Sequence, residues 1–170
     1  EKPQEIDKIL SRHTLSCLNE KLYVNDNIGK FDEYHPGEMY IIPPIKQHYH
    51  TGDIIKKDRE LFIILNPACD IVGQKVELYV LAKITSIDKN IDNIKLNKGK
   101  ECYYYLPYFA NIFQKIPNNI YIINFQNLQT TQSCNEYERV ASISAPFLKD
   151  IIARFSRYYA RQGQPDLMQH

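Results

Sequence analysis

The chain has 170 residues, of which 44% are hydrophobic and 24% charged, with a formal net charge of +1. That is long enough to bury one core without disulfides or a structural metal. The balanced charge excludes a whole-molecule field for nucleic acid or anionic membrane, so any basic site has to be local.

From Pro3 to about Leu22 the spacing is helical: Ile6, Ile9, Leu10, His13, Cys17 and Leu18 recur at three- and four-residue intervals. Pro3 suits a first helical turn, and Glu5 and Asp7 suit its positive end. Asn25 to Lys30 is a loop by composition. Strand patterns follow. Glu38 to Ile42 is short and stopped by Pro43-Pro44, and the turn Thr51-Gly52-Asp53 leads into Ile54-Ile55. Leu61 to Leu65 is a continuous apolar run of strand length, as expected of a central strand buried on both faces. Val76 to Ile84, Glu101 to Leu106 and the β-branched, aromatic run Ile120 to Phe125 read as further strands, with a polar, exposed loop over Asp88 to Lys100. Glu136, Glu138 and Arg139 read as plain surface charges. Ser144 is a natural N-cap and Pro146 falls in the first turn of a helix whose Phe147, Leu148, Ile151, Ile152, Phe155, Tyr158 and Tyr159 form one apolar stripe. It should end before Gly163. Strands without βαβ alternation, between a helix at each end, predict an α+β fold with a mostly antiparallel, strongly bent sheet. We divide the chain into an N-terminal helix and linker (1–36) and a barrel domain with a C-terminal amphipathic helix (37–170), together one compact unit.

Cys17, Cys69, Cys102 and Cys134 stand far apart with no C-x-x-C pair, and no apolar secretory segment opens the chain. They read as reduced thiols in a cytoplasmic protein. No apolar run approaches the roughly 20 residues of a membrane span. The start at Glu1 rather than methionine reads as a processed product or a fragment of a longer protein, with an upstream domain or protein partner.

Three places could carry chemistry. Asn66-Pro67-Ala68-Cys69-Asp70 follows the central strand, which Pro67 must end or bulge, so a thiol and a carboxylate arrive at a strand end. Cys69 and Asp70 are a nucleophile or ligand pair on one reading, and a structural cysteine beside a turn-capping aspartate on the other. His35, His48 and His50 form a second group: His48 and His50 flank Tyr49, so on a strand both would point to one face, and with Cys69 or Asp53 they could form a metal site. Their pattern is that of a solvated edge, and we assign no metal and no cofactor. The third is the stripe Arg154, Arg157 and Arg161 with Tyr158 and Tyr159 interleaved, suited to phosphate and base contacts or to a solvated face paired with Asp150 and Asp166. The G-x-G-x-x-G, Walker A, G-x-S-x-G and H-E-x-x-H patterns are absent.

The order of the pieces resembles the MazF/PemK/Kid group of small toxin barrels. Gly52-Asp53-Ile54-Ile55 is similar to the family's opening strand, Arg59 precedes the apolar strand Leu61 to Leu65, Val80 to Ser86 ends in Ile-Thr-Ser, Ile120 to Thr131 is similar to the next strand, and Arg139 to Ser144 leads into the last helix. The resemblance covers Thr51 to Tyr159. It implies an SH3-like, PemK-like barrel, metal-independent endoribonuclease activity, homodimers, and active-site positions at Arg59 and Thr85. Glu60 stands where the family has proline, and the family's Gly-rich loop before the arginine is absent. The Pro-x-Cys-Asp motif and the segment around Arg154 to Asp166 also resemble uncharacterised bacterial proteins, some joined to response-regulator receiver domains.

These readings converge on a toxin-like effector that cleaves or binds single-stranded RNA without metal, in a bacterial defence or signalling protein. Arg59, Thr85, Cys69 and Asp70 would form the catalytic face, and Arg154, Arg157 and Arg161 the RNA contacts. Two other readings are a non-catalytic sensor or protein-interaction module serving as the output domain of a larger protein, and a cysteine-dependent enzyme centred on Cys69.

Overall fold

The computed structural model describes residues 3–23, 34–88, 101–113 and 119–161. The chain divides into two compact units, Glu1–His35 and Pro36–His170. The first carries α1 (Pro3–Tyr23), the helix expected from spacing, and its side chains from Glu5 to Lys21 are exposed. The loop at Asn25 to Lys30, most of that at Asp88 to Lys100, and Gly163 and Asp166 lie outside the described residues.

The second unit is α+β. A 3-10 turn (Pro36–Met39) leads into β1 (Tyr40–Ile41), followed by β2 (Asp53–Lys57), β3 (Glu60–Ile64), α2 (Ala68–Val72), β4 (Tyr79–Asp88), β5 (Tyr103–Leu106), β6 (Asn119–Thr131), β7 (Glu138–Ile143) and α3 (Ala145–Tyr159). All pairings are antiparallel, and the seven strands run in the order β1-β7-β2-β3-β4-β6-β5.

The expected central strand, β3, is the middle of that order. Side chains alternate across it. Ile63 and Leu65 enter the larger core with Ile54, Ala82, Ile123 and Phe125, while Phe62 and Ile64 enter a second cluster with Ile55, Leu81 and Cys134. Burial on both faces explains why the segment is apolar without alternation.

A side-chain contact links the two edges of the sheet. Tyr40 of β1 donates its hydroxyl to Pro107 O, just past β5, at 2.8 Å, and its ring packs near Phe109 and Phe113. α3 lies on the larger core: Ile151 is fully buried, Phe155 packs on Phe125, and the Tyr159 hydroxyl donates to Phe125 O at 2.8 Å.

Several boundaries differ from those expected. β1 is only two residues long, because the chain before it turns as 3-10 helix. β4 starts at Tyr79 rather than Val76 and runs on to Asp88. β6 continues to Thr131, beyond Phe125, by a register shift: Ala82 pairs with Leu128 but Lys83 with Asn124, so Phe125, Gln126 and Asn127 bulge. The bulge places Phe125 beneath α3, and its N–H bonds Cys102 O at 2.9 Å. Ser144 does precede α3, but its hydroxyl donates to Glu38 O at 2.8 Å instead of capping its own helix.

Gly52 fixes the seat of α3. Its φ is +83°, and a Cβ built there would lie 2.6 Å from Leu148 Cδ1. Left-handed backbone and overpacking add to about 2–5 kcal/mol for Gly52→Ala. Urea unfolding should show this loss, and Leu148→Ala in the same chain should recover the steric part but not the backbone part, giving non-additive energies.

Candidate functional site

β2 and β3 form a hairpin closed by Lys57↔Glu60, so Asp58 and Arg59 are its turn. Asp58 adopts φ +54°, a left-handed conformation that aspartate tolerates better than most residues. Arg59 therefore stands at a hairpin tip. β4 outruns this hairpin. Its pairing with β3 stops at Leu61↔Ile84, while Thr85 and Ser86 pair only with Ile122 and Tyr121 of β6.

Where the hairpin ends and β4 continues, a groove of about 390 Å³ opens. Lys56, Arg59, Lys83, Thr85 and Ser86 line it together with the carboxylates of Asp58 and Glu60. Leu61, Ile84, Ile112 and Tyr121 complete the lining. Tyr121 stacks on Phe113 with ring centroids 4.1 Å apart, and burial, with Tyr108 nearby, pushes its phenol up so that it stays neutral. Glu60 makes an ion pair with Lys83, a diagonal cross-strand contact in which the side chains are 53% and 29% exposed. The charge of Glu60 is thus met inside the groove by Lys83.

Arg59 and Thr85 are brought together; Cys69 and Asp70 do not join them. The whole of β3 separates the two pairs, since Cys69 and Asp70 sit on α2 past its other end. Cys69 is exposed, and its Sγ lies 3.6 Å from Asp70 Oδ1. The structural weight of that segment falls on Asn66, whose side chain donates to Leu78 O at 2.9 Å and accepts from Val80 N–H at 2.6 Å, closing the loop between β3 and β4. The arginine stripe does not line the groove either. Arg154 lies 6.0 Å from the Tyr104 ring centroid, Arg161 pairs with Glu101, and Arg157 is exposed. His48 is exposed, and among the described residues no group of three His, Cys, Asp or Glu could hold a metal.

One expectation is overturned. Arg139 is not a surface charge: its side chain is 16% exposed and pairs with Asp53, which is 1% exposed, at 2.9 Å from Nη2 to Oδ2. That contact lies off the N–H axis and is an ion pair rather than a directed hydrogen bond. Asp53 also accepts from His50 N–H at 2.8 Å and from the Ser142 hydroxyl at 2.6 Å. Arg139 Nη1 donates to Lys46 O at 2.7 Å, and the guanidinium lies 5.5 Å from the Tyr49 ring centroid. The Tyr49 hydroxyl reaches Cys134 O at 2.7 Å and Tyr137 O at 3.0 Å. A one-residue irregularity decides this geometry. Ile54 pairs with Ala141 but Ile55 with Arg139, skipping Val140. The slip turns Arg139 to the face of Asp53; in unbroken register it would point to the other face. A carboxylate heading an apolar strand signals the need for a buried partner, but nothing local in the sequence names it.

Burial shapes the titration around this network. The Cys134 thiol is pushed up to about 11 by burial, with Asp53 adding to the effect. His50 is held below its usual value by burial first and by Lys46 next, and its Nδ1 is buried without a hydrogen-bond partner.

Arg139→Ala would leave Asp53 charged and buried, at a cost of about 3–5 kcal/mol in guanidinium unfolding. Thiol labelling of the native protein near neutral pH should modify exposed Cys17 and Cys69, whereas buried Cys102 and Cys134 should react only after denaturation, as mass spectrometry of the alkylated peptides will show.

No family model matches the chain, and no curated protein matches it. Among solved structures, the chain is similar to the crystal structure of MazE-MazF (Form-III) from Deinococcus radiodurans, with a TM-score of 0.45, 14% identity, and coverage of 65% of this chain and 95% of that one.

Proposed function

We propose that this chain is a toxin-like effector domain that cleaves single-stranded RNA without metal, and that the Arg59–Thr85 groove is where it does so. The observation that carries the reading is spatial. Arg59 on a hairpin tip and Thr85 on the unpaired side of β4 are far apart in sequence yet line one groove, and they are the positions that the motif resemblance marks as active-site residues. The chemistry fits. A guanidinium presents a planar fork of donors to phosphate oxygens and stabilises the charge that builds on phosphorus in the transition state. The Thr85 hydroxyl can hold a second phosphate oxygen. Lys56 adds a cation to the same lining, and the apolar lining beside Tyr121 offers a surface against which a base can rest. On this reading Arg157 is exposed and open to an added phosphate contact outside the groove, whereas Arg154 lies by the Tyr104 ring and Arg161 pairs with Glu101. Cys69 and Asp70, at the far end of β3, are left out of the reacting group.

The purified domain should cut single-stranded RNA in the presence of excess chelator. Arg59→Ala should slow cutting by roughly 10²–10³-fold, as loss of a transition-state donor does. Thr85→Val should lower the rate less, and circular dichroism should show both variants folded. Intact RNA with the wild-type protein would overturn the reading. An Arg59→Ala variant as active in cells as wild type would favour the non-catalytic interaction module instead.

A further inference from the structure

We propose that Glu60, which stands where the resembling family has proline, is the general base of this groove. The inference rests on the groove being the cleavage site. A base must be able to accept a proton near neutral pH and must be held in place. Lys56, Arg59 and Lys83 are cations, Thr85 and Ser86 are neutral hydroxyls, and the lining contains no histidine. Asp58 and Glu60 are the remaining acceptors. Asp58 sits in the outer turn of the hairpin in a left-handed conformation. Glu60 lies within β3, its backbone paired to Lys57, and its carboxylate is tied to Lys83 of β4. It is therefore anchored on both sides of the groove, next in sequence to Arg59.

The Lys83 contact also answers the electrostatic objection to a carboxylate in a phosphate site. Lys83 offsets Glu60, and the lining keeps an excess of cations over anions. The side chains are half and one-third exposed, so their pairing is weak enough to yield as substrate enters. Lys83 then serves as a positioning residue for Glu60.

The step balances without an added reagent. Glu60 takes the proton of the 2′-hydroxyl, and the 2′-oxygen forms a bond to the adjacent phosphorus. The bond from phosphorus to the 5′-oxygen breaks, its electron pair stays on that oxygen, and the oxygen takes a proton from water in the open groove. Glu60 returns its proton to the same water. The products are a 2′,3′-cyclic phosphate and a 5′-hydroxyl, while Arg59 faces the charge on phosphorus.

The experiment compares wild type, Glu60→Gln, Glu60→Asp and Lys83→Met on one RNA sequence and on its 2′-O-methyl and DNA counterparts, measuring both cleavage and binding. Wild type should bind all three polymers and cut only the RNA. Glu60→Gln should lose roughly 10²–10⁴-fold in rate while binding RNA as well as or better than wild type. Glu60→Asp should keep part of the rate, and Lys83→Met should lower it without abolishing it. Cleavage by Glu60→Gln at or above the wild-type rate, or cleavage of the 2′-O-methyl strand, overturns this inference and leaves the groove assignment standing. Wild-type protein that cuts none of the polymers overturns both. Thermal melts of each variant within a few degrees of wild type identify a rate loss as chemical rather than structural.

Discussion

An aspartate with 1% of its side chain exposed must have its charge met inside the protein, and the way Asp53 is met organises the fold around it. Arg139 comes from β7, Ser142 from the same strand, and the His50 amide from the segment entering β2. These contacts fasten β2 to β7 beyond their backbone ladder. Arg139 then reaches Lys46 O, and Tyr49 reaches Cys134 O and Tyr137 O, so the same network lays the segment before β2 over the outer cluster of Ile55, Phe62, Ile64 and Leu81. The central sheet is covered on that face because the ion pair and its hydrogen bonds hold the cover in place. The other face is covered by α3, seated where Gly52 lacks a side chain.

Both faces of the middle of the sheet are covered. The groove arises at its end instead, from unequal strand lengths. β2 and β3 are short and turn at Asp58-Arg59, whereas β4 and β6 carry on past them as a long pair. The hairpin tip and the uncovered side of β4 then face each other across a step. Polar and charged residues collect at such a step because no strand completes the ladder there and water reaches it. That is why a chain with a net charge of only +1 can still gather Lys56, Arg59 and Lys83 in one place.

What could be read from the amino-acid order follows the range of the interaction concerned. Period and composition are local, and they located α1, β3 and α3 to within a residue or two. Turn chemistry is local too, and it placed Gly52 before β2. Register is not local. The skipped Val140 reverses the direction of Arg139, and the bulge at Phe125 extends β6 beyond its apolar run; both depend on partners distant in the chain. A charged residue next to Glu138 in a polar stretch therefore looked solvated when it is the main partner of a buried aspartate. Arg59 and Thr85 were nameable through motif resemblance, but that they share a groove depends on where β3 stops relative to β4. The same dependence separates them from Cys69 and Asp70, which looked close only because one short strand links them in sequence.

The position of Glu60 ties these levels together. It closes the hairpin opposite Lys57, and the alternation of β3 puts it on the same side as Phe62, beside Lys83. A residue there is constrained in backbone by the ladder but free to contact solvent, since β3 is buried only from Phe62 inward. Proline in that place would remove a donor from the hairpin pair and leave Lys83 without its partner. A carboxylate keeps the ladder, neutralises one lysine, and adds a proton acceptor next to the arginine. Stability here resides in the buried end and middle of β3, and the groups proposed to react lie at its exposed start, so substitutions at Glu60 test the proposed chemistry without disturbing the buried core.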